Sequence, residues 1–208
     1  MESCDPAFAG RQACRRKPLT RLIYFTNMEE IYKAYRSNPS HLFKPHSKYM
    51  VTAGTYLNRG YLQDPAAKEK LLQSIFKGCQ KHNWKTEEWV ILDNHYHLIL
   101  EAPEDAASLP KLINEVHKFT ALWIKKHLNI QANNHIFFNF WDSCLTHERF
   151  YYSRINYVYL NPVKHKYVLN AKDYLFGSYY YRFKEGKDEL EKLRLKFPCD
   201  RVNVKDDF

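Results

Sequence analysis

Two histidines one residue apart, His95-Tyr96-His97, stand in the stretch Val90-Ile91-Leu92-Asp93-Asn94-His95-Tyr96-His97-Leu98-Ile99-Leu100. Side chains alternate faces along a strand, so both imidazoles project to one side and can grip a single metal ion. The bland alternative is a pair of satisfied buried imidazoles. Apolar residues on both sides predict a buried strand, and burying an unpaired imidazole is costly, so something should bond the pair. Further along, Ile155-Asn156-Tyr157-Val158-Tyr159-Leu160-Asn161-Pro162-Val163 predicts a helical stretch on which Tyr157 and Asn161, four apart, share a face. A tyrosine hydroxyl is a poor nucleophile while protonated, its reference pKa being about 10, and a metal-bound phosphate beside it favours reaction as the phenolate. The resulting phosphotyrosine ester preserves the energy of a phosphodiester, so a nucleic-acid hydroxyl can reverse the attack. Asn161 also reads as an ordinary C-terminal cap, since Pro162 follows it.

The elements that must position these residues are legible from pattern. Residues 49–56, β-branched and aromatic, predict a first strand. Asp64-Pro65 opens a helix with an acceptor at the cap and proline at its first position, and Leu71, Leu72, Ile75 and Phe76 give it an apolar face. Residues 84–92 and 95–101 predict two strands joined at Asp93-Asn94, a dipeptide able to adopt the positive φ of a tight hairpin. A second helix spans 108–128, with Leu112, Val116, Phe119 and Trp123 as its stripe, and 136–145 predicts a fourth strand. A third helix over 148–160 stops at Pro162, and 185–196 predicts a short charged helix. Strand, helix, strand, strand, helix, strand is an α+β order: a ferredoxin-like βαββαβ core, an antiparallel sheet backed by helices, plus a C-terminal catalytic helix. The chain divides into a basic N-terminal extension of unknown role at 1–44, whose densest cluster is Arg15-Arg16-Lys17, a catalytic domain at 45–183 and a charged tail at 184–208.

Composition narrows the partners. A length of 208 residues suits one substantial core, and the apolar runs are too short to cross a bilayer, which with the absence of an apolar signal core predicts a cytoplasmic protein. Cys4, Cys14, Cys79, Cys144 and Cys199 form no Cys-x-x-Cys pair and read as reduced, structural thiols. A net charge of +9 favours a polyanion, because lysine and arginine release counterions from a phosphate backbone. Sixteen tyrosines offer stacking surfaces for single-stranded nucleic acid, although each is first of all a candidate core residue.

Other metal-histidine patterns begin the same way and depart from this chain at one place. A histidine-triad hydrolase would carry a third histidine at Ile99, and a metallo-β-lactamase-type hydrolase an aspartate there. The His95-Tyr96-His97 strand, Phe140-Trp141-Asp142 and Tyr157 through Asn161-Pro162-Val163-Lys164-His165 together resemble the HUH single-tyrosine transposases of the IS200-like superfamily, in particular the REP-associated branch, over roughly residues 49–183. The resemblance implies a ferredoxin-like core that binds single-stranded DNA beside a hairpin and cleaves it with a divalent metal. It implies Tyr157 as nucleophile, leaving a 5′-phosphotyrosine and a free 3′-hydroxyl, with His95, His97 and Asn161 as metal ligands. Two imidazoles and an amide oxygen leave positions open for water and phosphate, which suits Mg2+ or Mn2+, with zinc acceptable by ligand type. Lys164, His165 and Lys166, and Arg149 and Arg154, are candidate phosphate contacts, or else a solvated basic face; Phe140 and Trp141 either stack bases or fill core. Relatives act as monomers or as homodimers that swap the tyrosine helix. The competing readings are a non-catalytic hairpin-binding module for DNA or RNA and a small-molecule phosphohydrolase using the histidine pair.

Overall fold

The structure, a computed structural model, describes residues 32–33, 41–186, 190–200 and 202. Most of the 1–44 extension, including Arg15-Arg16-Lys17, therefore lies outside the described residues, as do Cys4 and Cys14. Strands β1 (Tyr32–Lys33) and β2 (His41–Leu42) pair as a small ribbon. His41 and Phe43 are buried, and His41 Nδ1 bonds the Asp142 carboxylate, so these residues of the 1–44 segment pack against the main sheet.

The main sheet holds β3 (Lys48–Thr55), β4 (Lys85–Ile91), β5 (His95–Glu101) and β6 (Phe137–Leu145) in the order β4-β5-β3-β6, with every neighbouring pair antiparallel. That is the strand order of the split βαβ arrangement the element sequence predicts. Helix α1 (Pro65–Lys81) starts where expected, with the Asp64 carboxylate accepting from the Ala66 amide and Pro65 at the first position. With α2 (Leu109–His127) it covers one face of the sheet. Leu71 and Ile75 of α1 and Leu112, Ile113 and Val116 of α2 meet Val51, Tyr96, Leu98 and Leu100 there. Each such fully buried aliphatic side chain contributes about 1.5–3 kcal/mol of transfer free energy.

Helix α3 (Glu148–Lys164) covers the opposite face, where Ile155, Tyr157, Val158 and Tyr159 pack with Met50, Val90, Leu92 and Ile99. Because both faces are covered, β5 reads as a nearly continuous apolar run. Its alternation sends Tyr96, Leu98 and Leu100 toward α1 and α2, and the phase of His95, His97 and Ile99 toward α3. Two short helices, α4 (Ser178–Lys184) and α5 (Leu190–Lys196), complete the described chain. Helix α5 falls within the expected 185–196 segment.

Two local expectations are corrected. Helix α3 does not stop before Pro162 but continues through Lys164, with Pro162 inside its last turn. The lost proline donor costs one bond only, and the end is closed by Tyr167 N–H to Pro162 C=O at 2.8 Å and Lys166 N–H to Val163 C=O at 3.0 Å. The β4–β5 hairpin forms, yet neither Asp93 nor Asn94 has positive φ. Contacts hold the turn instead: Leu62 N–H donates to Asp93 C=O, Thr55 N–H to Asn94 C=O, and the buried Lys68 ammonium lies 2.6 Å from the Asp93 carboxylate.

Candidate active site

His95 is the first residue after this braced turn and His97 lies one strand step further in, both almost wholly buried. Their rings are 5.2 Å apart. His95 Nδ1–H donates to the Asn94 side-chain oxygen at 2.7 Å, which leaves the lone pair on Nε2. His97 Nδ1 is 2.8 Å from the hydroxyl of Thr52, its directly paired neighbour on β3. The Asn161 amide donates to His97 Nε2 at 3.3 Å, so the His97 lone pair also resides on Nε2 and its Nδ1–H donates to Thr52.

Burial pushes the His95 imidazole down to about 3, helped by the charges of His165 and Lys164 and opposed by Asn161. Burial likewise holds His97 well below the ordinary histidine range, with His95, His165 and Lys164 adding to it. Both rings are therefore neutral at physiological pH, the form that ligates metals.

Helix α3 brings its own stripe to this spot. Tyr157, Asn161 and Lys164 recur at helical spacing, and all three reach the histidine pair or one another. The Tyr157 ring lies edge-on to His97, 5.3 Å between centroids, within one chain. Lys164 Nζ donates to the Tyr157 hydroxyl at 3.2 Å and sits 5.0 Å from its ring centre. Asn161 is four residues before the helix cap His165 and fully buried, so it is not a C-terminal cap. His165, the cap, stacks edge-on against His95 at 4.8 Å.

The remaining candidates are more dispersed. Lys166 is exposed one residue past the cap, in a left-handed conformation with φ of 62°. Arg149 is exposed in the first turn of α3, about 12 Å of helix rise from Tyr157. Arg154 is half-buried, its Nε without a hydrogen-bond partner among the described residues, and burial lowers its pKa. Phe140 is buried in the α1/α2 core, stacked on His41, whereas Trp141 is half-buried on the other side of the strand. Thr52 and Asn94 were not among the sequence candidates; a polar side chain in the apolar run of β3 was the available signal for Thr52.

Among the described residues no cluster of three or more His, Cys, Asp or Glu could hold a metal ion. An ion here would rest on two imidazoles and an amide. Those donors suit a divalent cation, since both neutral rings have Nε2 lone pairs and the Asn161 side-chain oxygen is buried and makes no hydrogen bond among the described residues. The family model for the IS200-like transposases matches residues 44–171, more than half of the chain and the whole of the site. The chain belongs to the IS200-like transposase family. This transposase is similar to the REP-associated tyrosine transposase of Escherichia coli, 26% identical over 141 residues, covering 64% of this chain and 81% of that protein. A putative REP-associated tyrosine transposase of Haemophilus influenzae is 26% identical over 110 residues, covering 49% of this chain and 62% of that protein. A REP-associated tyrosine transposase solved bound to a REP hairpin shares the fold, with a TM-score of 0.60 and 22% identity over 85% of this chain and 94% of that one. No helix among the described residues of the transposase is long and apolar enough to cross a membrane. Cys79 and Cys144 are free thiols.

Proposed function

We propose that this IS200-like transposase is a single-stranded DNA endonuclease and strand transferase that cuts beside hairpins through a 5′-phosphotyrosine intermediate on Tyr157. The observation that carries the reading is the meeting, within one chain, of the Tyr157 ring and the Asn161 amide with the buried His95-His97 pair. The REP-associated tyrosine transposase solved bound to a REP hairpin, which shares this fold, supports hairpin DNA as substrate, and the charge of +9 suits a polyanion.

In the forward step the Tyr157 oxygen attacks the scissile phosphorus and the bond to the 3′-oxygen breaks. The phenol gives up its proton and the departing 3′-oxygen gains one, both exchanged with water. The 5′-phosphate remains on Tyr157, and attack by another 3′-hydroxyl reverses the sequence and joins strands. His95, His97 and Asn161 would hold a divalent ion, Mg2+ or Mn2+, which when bound polarises the phosphate and offsets charge on its oxygens. Thr52 and Asn94 keep both imidazoles in the tautomer that turns Nε2 inward. Lys166 and Arg149, both exposed, are assigned to the DNA backbone. The contact of Tyr157 with its own chain's His97 suits a monomer, and the reading takes residues 45–183 as the catalytic domain of a cytoplasmic protein.

A labelled hairpin oligonucleotide incubated with the protein and Mn2+ should yield a protein–DNA adduct that survives denaturation. The adduct should vanish in Tyr157→Phe and on chelation. No adduct with any hairpin substrate, or one undiminished in Tyr157→Phe, would sink the proposal; tight binding indifferent to chelator and to His95→Ala would point to a non-catalytic binding module instead.

A further inference from the structure

We infer that Lys164 is a catalytic residue that stabilises the Tyr157 oxygen as an anion, both when it attacks the phosphate and when it departs during strand joining. The inference rests on Tyr157 being the nucleophile.

A lysine at this position has a plainer description, a solvated cation on a basic helix end. Two contacts argue against leaving it there. Its ammonium donates to the very oxygen that would react, at 3.2 Å, and lies 5.0 Å from the same ring's centre. It comes from seven residues further along α3, on the same stripe, and lysine side chains on a helix lean back toward the N-terminus, which carries the charge to Tyr157 rather than away from it.

The surroundings give that charge a specific use. Tyr157 is buried, and the groups around its ring are neutral imidazole and the apolar core of α3. A phenolate formed there is separated from most of the water that would solvate it, and neither His97 nor Asn161 carries a formal charge to balance it. Lys164 is the cation placed on its oxygen. An ammonium hydrogen bond to an anion is about twice as strong as one between neutral groups. It therefore favours the charged form over the resting phenol, which is the condition for accelerating a reaction rather than merely binding.

The balance of the step is that of the nicking reaction. The Tyr157 oxygen bonds to phosphorus as the bond to the 3′-oxygen breaks; Lys164 remains an ammonium throughout, and the phenol proton passes to water. In strand joining a 3′-hydroxyl attacks the phosphotyrosine and the Tyr157 oxygen leaves as the anion that Lys164 meets. Both directions should therefore suffer together when Lys164 is removed.

The test is single-turnover cleavage of a labelled hairpin oligonucleotide in Mn2+ at saturating protein, comparing wild type with Lys164→Met and Lys164→Arg, with affinity measured separately on an uncleavable analogue. Expected is a fall of roughly 100-fold in the rate of adduct formation and of strand joining in Lys164→Met, an affinity changed by only a few-fold, and partial recovery in Lys164→Arg. Replacing Tyr157 with 3,5-difluorotyrosine, whose anion is intrinsically more stable, should shrink the Lys164→Met penalty; a purely structural lysine would leave it unchanged. A Lys164→Met protein that cleaves at the wild-type rate once saturated, whether or not its affinity has dropped, overturns the inference and leaves Lys164 a phosphate contact, with Tyr157 untouched. Absence of any adduct in wild type overturns the nucleophile reading, and this inference with it. Lys164 is exposed, so a thermal midpoint for each variant close to wild type is expected and confirms that the rates compare folded proteins.

Discussion

Thr52 lies directly across the β3–β5 ladder from His97, and the hydroxyl is 2.8 Å from His97 Nδ1. There it accepts the His97 Nδ1–H, the arrangement that leaves the ring's lone pair on Nε2, facing Asn161. Thr52→Val keeps the shape and removes the acceptor. Metal affinity, read by calorimetric titration with Mn2+, should drop about 10–100-fold, and stability should fall by about 1–3 kcal/mol because a buried N–H is left unpaired. Thr52→Ser should retain most of both, and equal affinity in Thr52→Val would mean that Thr52 does not orient the ring. At this scale the His95-His97 pair, Tyr157 and Asn161 were all legible, because each belongs to a short pattern with a fixed period. Thr52 was not, because its role depends on strand register, which no local pattern states. His165 and Lys164 were legible as candidate phosphate contacts; their contacts with His95 and Tyr157 depend on the face that α3 turns to the sheet.

Helix α3 carries Tyr157, the proposed nucleophile, and its end is an unusual piece of local structure. The pair of hydrogen bonds from Lys166 and Tyr167 back to Val163 and Pro162 forms a Schellman closure, and the residue at its left-handed position is lysine instead of glycine. Left-handed backbone costs an L-residue roughly 1–2 kcal/mol. Lys166→Gly should therefore stabilise the protein, by about 1 kcal/mol once the extra freedom of glycine in the unfolded chain is subtracted, visible as a higher urea midpoint with unchanged slope. A lower midpoint would mean that the Lys166 side chain holds the helix end. The same element explains the misplaced boundary. Proline normally ends a helix before itself, but here it falls in the last turn, where one absent donor is tolerated and the closing bonds lie beyond it. The β4–β5 turn follows similar logic: Asp93-Asn94 marks the reversal correctly, while its backbone shape comes from Lys68, Leu62 and Thr55, which are distant in sequence.

At the scale of the whole molecule, burial favours the neutral form of three imidazoles among the described residues. His117 accepts from the Tyr96 hydroxyl at 2.9 Å, stacks on Phe137 at 4.2 Å, and is pushed by burial down to about 3. His95 is similarly at about 3 and His97 well below the ordinary value. Below the unfolded value near 6.5 the unfolded chain binds protons that the native protein refuses, so stability is full above that pH and declines as pH falls toward the native values. Each imidazole adds a slope of at most about 1.4 kcal/mol per pH unit. Glu88, raised by burial, acts in the opposite sense, one group against three. Urea denaturation of the metal-free protein should show a clear loss of stability between about pH 7.5 and pH 5, and a flat profile would contradict the burial of these rings. What the sequence by itself determined is the set of elements and the face on which each candidate residue sits, because periods of 2 and 3.6 are local properties of the chain. Only the tertiary structure decided that α3 covers the histidine face of β5, that the site is dry enough to keep its histidines neutral, and that Lys164 meets the Tyr157 oxygen. Those depend on strand order, register and helix docking, which are settled by burying surfaces far apart in sequence.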